Sequence, residues 1–307
     1  MPAALRDILD ELDLFQSRVG VVPGYLAQEI EAQPRVENNY QYHFFNFQPY
    51  TFQPADAVCV DPDISLDRVM EVFLAATECF NERHPEATWN SHVHGPVFQL
   101  ALGTIINKDS AAPRPNPRDE SRSLNPPLRV RAMPCTTARL VHYPHGAKMV
   151  DFCIFVEPQG EDADKVQEIR TRLGHSINHT DFYPLRHRPL VLSAKSKKPG
   201  EGYSNAQIQL GVWQAAQWAL LEKLSSAGAE TLIPFLPALV IQGHEWSFAA
   251  TTKSGKQTVL WVKQPIGATD TVLGIFQIIR ALRHITSWAR DTFWPWYRDN
   301  ILKGTSS

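Results

Sequence analysis

The spacing of apolar residues along the chain predicts a succession of helices and strands. Segments with an apolar residue every three or four positions predict helices at residues 4–15, 65–83, 89–106, 203–225 and 270–290, with a shorter helix at 162–174. Short runs rich in β-branched and aromatic residues predict strands at 135–142, 148–157, 189–195, 237–242, 246–251 and 258–263. The side chain of Ser65 is expected to cap the helix that follows it.

This order of elements predicts a single α/β domain over residues 61–300, in which a mixed central sheet is flanked by helices. Residues 1–60 hold one short helix and a stretch rich in proline, asparagine, glutamine and aromatic residues, which predicts an irregular arm. The first two strands are expected to form a hairpin around His145-Gly146. Residues 107–128 are polar and proline-rich, which predicts a mobile loop.

Composition and charge narrow the classes of function. The 307 residues include 30 Lys and Arg against 32 Asp and Glu, so the chain lacks the basic excess of a nucleic-acid binder and favours a small-molecule substrate. The four cysteines form no C-x-x-C pair, which argues against structural zinc and fits a reducing compartment. No signal-peptide pattern or membrane-length apolar run is present, so no membrane partner is expected, and the cytoplasm or the nucleus is the expected location.

A run of lysines follows the predicted strand at 189–195. The segment reads P-L-V-L-S-A-K-S-K-K-P-G, and such a run is by itself typical of a solvated loop. Asp151, however, lies among apolar residues in the middle of another predicted strand. Because a buried carboxylate needs a partner, we expect Lys195 or Lys197 to face Asp151.

Further polar residues lie near this strand in the sequence. His179, in I-N-H-T-D, comes before it and is a candidate catalytic group. Gln207 and Gln209 open the next helix, whose positive end favours anions, and one of them is expected to line a pocket.

Other aromatic and histidine residues are more ambiguous. Tryptophans are expected mainly in the core, with Trp89 as a candidate substrate contact. His92 and His94 form an H-x-H pair of the kind that binds metals, but residues two apart on a helix point to different faces. Packing or capping is therefore the favoured interpretation of both histidines.

Several motifs together resemble one known family. They are E-A-T-W-N-S-H-V-H-G-P-V-F (86–98), C-T-T-A (135–138), K-M-V-D-F-C-I (148–154), S-I-N-H-T-D-F-Y-P-L-R (176–186), N-A-Q-I-Q-L-G-V-W-Q-A-A-Q-W (205–218), F-L-P-A-L-V-I-Q-G-H-E-W (235–246) and F-W-P-W-Y-R (293–298). With a helix before a β-β-β-α-β core, the chain resembles the PD-(D/E)XK nucleases of the restriction-endonuclease-like superfamily. It is most similar to a fungal branch of nuclease-like domain proteins.

The resemblance implies a metal site that this sequence interrupts. In such nucleases an aspartate, and a second acid two residues before a lysine, hold Mg²⁺, a cation that prefers oxygen ligands. A helix glutamate often joins them. By resemblance, Asp151 is the first acid, Glu86 the helix glutamate and Lys197 the lysine. The family motif S-I-E-T-K reads S-A-K-S-K here, so Lys195 replaces the second acid.

This substitution predicts that Lys195 pairs with Asp151 in place of a metal. A lysine a few ångströms from Mg²⁺ in a partly buried site would be repelled by several kcal/mol. We therefore expect no cofactor, with Mg²⁺ as the alternative. The predicted catalytic residues are Glu86, Asp151, Lys195, Lys197 and His179, and the predicted substrate contacts are Gln207, Gln209 and Trp89.

Three functions follow from this interpretation. The first is a metal-free acid/base enzyme that cyclises, isomerises or dehydrates a small organic molecule, as in fungal secondary metabolism. The second is a Mg²⁺-dependent nuclease whose missing ligand has migrated to Glu157 or Glu201. The third is a non-catalytic binding protein. Lys195 and the slightly acidic balance favour the first over the second, and nothing in the sequence separates the first from the third.

Overall fold

A computed structural model describes residues 1–33, 47–54, 63–103, 128–141, 150–225 and 232–303, with the side chains of residues 262 and 263 excepted. Within these residues six strands form one sheet in chain order. They are Arg129–Pro134 (β1), Phe152–Glu157 (β2), Leu190–Lys197 (β3), Leu236–Gln242 (β4), Glu245–Ser254 (β5) and Gln257–Ala268 (β6). Neighbouring strands are antiparallel except β3 and β4, which are parallel. The predicted mixed α/β sheet is confirmed.

Helices cover both faces of this sheet. They are Ala3–Gln16 (α1), Ala27–Glu31 (α2), Leu66–Asn81 (α3), Glu86–Trp89 (α4), Gly95–Leu102 (α5), Glu161–Leu173 (α6), Tyr203–Leu224 (α7), Val272–Trp288 (α8) and Trp294–Tyr297 (α9). A parallel strand pair needs a crossover connection, and α7 supplies it between β3 and β4. This crossover places the first turn of α7 beside the last residues of β3.

Two apolar clusters hold the layers together. The larger one includes inner faces of α1, α3, α5 and α8 and the side of the sheet that they cover. The smaller one lies between β2, β3, β4 and α7, where Cys153, Phe155 and Trp213 are fully buried. The indole nitrogen of Trp213 donates to the Ser193 hydroxyl over 2.9 Å, which fixes α7 against β3.

The first strand predicted from the sequence, at residues 135–142, is wrong. The strand lies at Arg129–Pro134, and residues 135–141 turn away after the Cys135 amide donates to the Asp151 carbonyl. Beyond Cys135, Leu140 makes an isolated bridge with Thr180. The true strand, R-V-R-A-M-P, has polar residues and a terminal proline that hide it in the sequence but suit the edge position that it occupies. The predicted turn at His145-Gly146 lies outside the described residues.

Several helix boundaries also differ from the prediction. The helix expected from residue 89 begins at Glu86, directly after Pro85, and continues through a π-helical turn at Asn90–His94 into α5. Ser65 precedes α3, but its side chain makes no capping bond. The predicted loop at 107–128 lies, apart from its last residue, outside the described residues.

The end of β3 is held by a close contact between two turns. Gly243, between β4 and β5, donates its amide to the Lys197 carbonyl over 2.9 Å and has a φ of +55°. A Cβ atom there would lie 2.5 Å from the Pro199 ring, so glycine is needed for both reasons. In the described parts of the chain, no helix has the length and apolarity to cross a membrane.

Candidate functional site

Two carboxylates and two ammonium groups meet where β3 ends. The Lys195 nitrogen lies 2.7 Å from an Asp151 oxygen and 3.6 Å from a Glu86 oxygen. The Lys197 nitrogen lies 3.2 Å from the other Glu86 oxygen. We call these four residues the charge cluster. The predicted pairing of Asp151 with a lysine of the S-A-K-S-K motif is confirmed.

Strand pairing brings these side chains together. Asp151 lies one residue before β2, and its amide donates to the Ala194 carbonyl on β3 over 2.9 Å. Alternate residues of a strand share a face, so Lys195 and Lys197 both point to the side of the sheet that α7 covers. Ser196, between them, donates its amide (2.8 Å) and its hydroxyl (3.0 Å) to the same Asp151 oxygen that accepts from Lys195.

The charge cluster divides into a buried and an accessible half. The side chains of Asp151 and Lys195 are each 6% exposed, and we call them the inner pair. The side chains of Glu86 and Lys197 are 31% and 20% exposed, and we call them the outer pair. Because Lys195 also contacts Glu86, the inner pair holds the outer pair in place without itself being open to a substrate.

The surroundings of the inner pair are apolar. Cys135 and Cys153 are both buried on the side of α7, with their sulfur atoms 3.3 Å apart. Burial, and then the contact with Cys153, raises the pKa of the Cys135 thiol well above its ordinary value, so this thiol stays protonated at neutral pH. An isolated charge would be costly in such a place, and the inner pair satisfies this constraint by neutralising itself.

The donor set does not fit the Mg²⁺ ion of the nucleases that the chain resembles. A divalent cation there needs oxygen ligands, and the place between Asp151 and Glu86 is taken by the Lys195 ammonium group. The negative charges of the two carboxylates are already matched by two lysines. Among the described residues, no three histidine, cysteine or acidic side chains come together as a metal site would require.

The two candidates for a migrated metal ligand lie in different places. Glu157 is at the other end of β2, roughly 20 Å along the strand from Asp151, and binds Arg131 and Arg188. That distance contradicts a role for Glu157 in the charge cluster. Glu201 lines the same cleft as Lys197, and its carboxylate binds Lys198 over 2.8 Å.

An open cleft of about 390 Å³ lies beside Lys197, the one member of the outer pair that lines it. It is lined by Lys197, Glu201, Gly202, Asn205, Ile208 and Gln209, which come from the end of β3 and the first turns of α7. Of the two predicted glutamines, Gln209 lines this cleft, and its side-chain oxygen is buried without a hydrogen-bond partner. Gln207 instead bonds to Tyr203 in the first turn of the same helix.

The predicted substrate contact Trp89 does not reach the surface. Its side chain is 1% exposed, with its ring 5.8 Å from His94 and 5.0 Å from His244. His94 is also buried, and its two ring nitrogens face Asn90 and the Gly243 carbonyl. Burial lowers the pKa of His94 to about 4. The packing interpretation of His94 fits these contacts, and Trp89 has no free ring face for a ligand.

His179 packs against Trp213 of α7 and does not line the cleft. Its ring is 6% exposed, packs edge-on at 4.4 Å against Trp213, and has no hydrogen-bond partner on either nitrogen. Burial lowers the pKa of His179 to about 3, so the ring is neutral near pH 7. A catalytic role for His179 stays a prediction, and a neutral ring buried against Trp213 has a structural explanation without it.

His179 is expected to make the fold sensitive to acid. Its pKa is lower in the folded chain than the ordinary value of 6.5, so the unfolded chain binds more protons between these limits. The stability that a neutral His179 provides is therefore complete above about pH 6.5 and falls by about 2 kcal/mol by pH 5. Denaturant titrations at both pH values should show that His179→Phe loses correspondingly less stability between pH 7.5 and pH 5 than the wild type. An equal loss in both proteins, with exposed His175→Gln as control, would contradict the burial argument.

Sequence reasoning missed Ser196, which makes two of the three bonds to the Asp151 oxygen. The signal in the sequence is its position between the two lysines of S-A-K-S-K. A strand end that brings both lysines to Asp151 also brings the Ser196 amide close to that carboxylate. Sequence reasoning also missed Asn205, whose place in the first turn of α7 becomes meaningful only when the cleft is seen.

Comparison with known proteins agrees with this geometry. A model of the PD-(D/E)XK nuclease superfamily matches residues 34–294, a span that contains the whole charge cluster. No curated protein and no solved structure matches the chain. The match is to the superfamily as a whole, so the fungal branch stays a prediction. Since the matching span covers most of the chain and the sheet has the corresponding mixed form, the chain belongs to the PD-(D/E)XK nuclease superfamily.

Proposed function

We propose that this protein is a metal-free acid/base enzyme that acts on a small organic molecule at the outer pair. The observation that carries the proposal is the Lys195 ammonium group, which lies between Asp151 and Glu86 at 2.7 Å and 3.6 Å. A nuclease of this superfamily would place a metal ion between two acids in this way. Here the Lys195 ammonium group takes the place of the ion. The chemistry is then proton transfer by the carboxylate and ammonium groups of the outer pair.

The outer pair supplies the reacting groups. Glu86 and Lys197 are 3.2 Å apart, partly exposed, and held on their inner side by Lys195. The Glu86 carboxylate accepts a proton from a carbon next to a substrate carbonyl, and the electron pair moves onto the carbonyl oxygen. The Lys197 ammonium group stabilises that oxygen or protonates it. Return of the proton from Glu86 to another substrate atom completes an isomerisation. In a dehydration the carbonyl re-forms, the carbon–oxygen bond at the next carbon breaks, and the departing hydroxide takes the proton from Glu86 and leaves as water.

The cleft beside Lys197 suits a substrate of modest size. Its volume of about 390 Å³ lies in the usual range for small-molecule sites, which is roughly 300 to 1,000 Å³. Gln209 lines the cleft, and its buried side-chain oxygen has no hydrogen-bond partner, so a small shift of this side chain would let it accept from a substrate hydroxyl or amino group. The 22-residue helix α7 begins at this cleft, and its positive end favours an oxygen that gains negative charge during the reaction.

The second candidate is a Mg²⁺-dependent nuclease, which family membership and the place of Glu201 favour. Such an enzyme would have to bind its metal with Glu201 after displacing Lys198 from that carboxylate. Plasmid DNA and single-stranded RNA incubated with Mg²⁺ or Mn²⁺ decide between the two functions. We expect no cleavage above the level of a Glu86→Gln preparation; metal-dependent cleavage that this variant lacks would overturn the proposal.

Neutralising the outer pair is expected to abolish turnover without unfolding the chain. Glu86→Gln and Lys197→Met each remove one proton-transfer group, which should lower kcat at least about 100-fold on a substrate found by mass-spectrometric screening of metabolite mixtures. A chelator should leave the wild-type rate unchanged. Both side chains are partly exposed, so melting temperatures should stay within about 3 °C of the wild type.

The matched control for this experiment is Lys198→Met. Lys198 belongs to the same lysine run, but it is 44% exposed and binds Glu201 on the surface. Its replacement should leave kcat within twofold of the wild type. Folded outer-pair variants with full activity would show that the charge cluster is not catalytic, and a screen in which no compound is consumed would favour a binding protein.

A further inference from the structure

A second cavity, of about 600 Å³, lies beyond the Pro199-Gly200 turn. The residues that line it include Phe80, Pro199, Gly200, His244, Glu245 and Asp270. Residues 199 and 200 line this cavity, whereas residues 201 and 202 line the cleft beside the outer pair. The turn therefore separates two distinct concave sites, and the proposed acid/base chemistry does not use the second.

One wall of the second cavity is aromatic. Phe80, near the end of α3, is 53% exposed, so its ring is open to a ligand. Its centroid lies 5.2 Å from that of His244. The His244 ring is in turn held from behind by the edge of Trp89 at 5.0 Å and by a 3.0 Å contact between its Nδ1 atom and the Thr269 hydroxyl. The His244 part of this wall is therefore fixed in position before any ligand arrives.

Two of the residues that line the second cavity are acidic. Glu245 and Asp270 contribute carboxylates, and the described residues that line the cavity include no lysine or arginine. Burial lowers the pKa of His244 below its ordinary value, so this ring is neutral near pH 7 and does not oppose a cation. The cavity also receives the C-terminal end of the 16-residue helix α3, which carries a partial negative charge.

We propose that the second cavity binds an organic cation in which a protonated amine is attached to a flat apolar ring. The ring packs on Phe80 and His244, and the ammonium group lies toward Glu245 and Asp270. Aromatic faces attract cations, and carboxylates add charge-assisted hydrogen bonds. A volume of about 600 Å³ accommodates a ring system with a short side chain.

The test uses three compounds that share an indole ring but differ in charge: tryptamine (positive), indole-3-ethanol (neutral) and indole-3-acetate (negative). Binding is followed by two-dimensional ¹H–¹⁵N spectra of the full chain at pH 7 and low ionic strength. We expect tryptamine to bind at least about fivefold more tightly than indole-3-ethanol, and indole-3-acetate to bind most weakly. Shifts should occur at residues 80, 244 and 245.

Three exposed positions give the variants. Glu245→Gln and Asp270→Asn should each weaken tryptamine about threefold and leave indole-3-ethanol unchanged, because each change keeps the shape of the side chain and removes its charge. Phe80→Ala should weaken both compounds, and Glu201→Gln, in the neighbouring cleft, should weaken neither. Equal affinity for all three compounds, no binding at millimolar concentration, or shifts confined to the neighbouring cleft would each overturn the proposal.

Discussion

Replacing Asp151 by Asn or Lys195 by Met, one at a time, is expected to lower the free energy of unfolding by about 3–5 kcal/mol. Each change leaves the other member of the inner pair as a buried charge without its nearest counter-ion, since both side chains are only 6% exposed. The double variant should recover most of this loss, because no charge is then left unpaired and the introduced amide still accepts from Ser196. Urea titrations of the four proteins at pH 7 give the coupling energy between the two positions, which we expect to be at least about 2 kcal/mol.

A salt bridge on the surface, between Lys198 and Glu201 just after β3, provides the control. Lys198 and Glu201 are 2.8 Å apart, which is close to the spacing of the inner pair, but their side chains are 44% and 58% exposed. The same cycle there should give no more than about 0.5 kcal/mol of coupling. If the stability losses of the two single variants added up to the loss of the double variant, the inner pair would be solvated and neither residue would depend on the other.

The burial of Asp151 decides which residues should be replaced to test the site. From the sequence, Asp151 is a predicted catalytic residue. Its three bonds from Lys195 and Ser196, and its burial, make it a structural anchor as well. Loss of activity in an Asp151 variant would therefore be ambiguous, whereas the partly exposed outer pair reports on chemistry alone.

The sheet could be predicted where its strands are buried on both faces. The run of β3 is apolar up to Lys195 except for Ser193, and the run of β4 is apolar up to Gln242, a pattern that is typical of buried strands. The edge strand β1 could not be predicted, because an edge position tolerates arginine and proline and so resembles a loop. The start of α4 was misplaced by three residues because Pro85, which precedes it, is as typical of a loop as of a helix start.

The charge cluster could be predicted from motif spacing, but its internal arrangement could not. The S-A-K-S-K motif gave both lysines, and the match to Asp151 and Glu86 followed from the family pattern. Spacing does not say how deeply a side chain is buried, so the division into inner and outer pairs appears only in the structure. The same limitation explains Trp89, whose neighbours His94 and His244 lie 5 and 155 residues away along the chain.

Restoring the acidic third motif is expected to restore a metal site. Lys195→Glu replaces the ammonium group between Asp151 and Glu86 by a third carboxylate, which repels the other two when no metal is bound. The variant should therefore be several kcal/mol less stable than the wild type without metal. Mg²⁺ should recover about 1–3 kcal/mol of that loss at tenfold to hundredfold excess over its dissociation constant. Thermal unfolding between 0 and 10 mM MgCl₂ measures the effect as a rise in melting temperature.

Two further proteins decide what a metal-dependent rise would mean. The wild type should show no such rise, because its own lysine occupies the place of the ion at 2.7 Å from Asp151. Adding Asp151→Asn to Lys195→Glu should remove the rise in melting temperature, because one of the carboxylate ligands becomes a neutral amide. If the wild type were stabilised by Mg²⁺ as strongly as the variant, the lysine would not be excluding the ion, and the nuclease with Glu201 as a migrated ligand would become the better account of the site. If Mg²⁺ stabilised neither the wild type nor Lys195→Glu, the backbone around Ser196 would leave no room for the ion, and a single substitution would not be enough to restore the metal site.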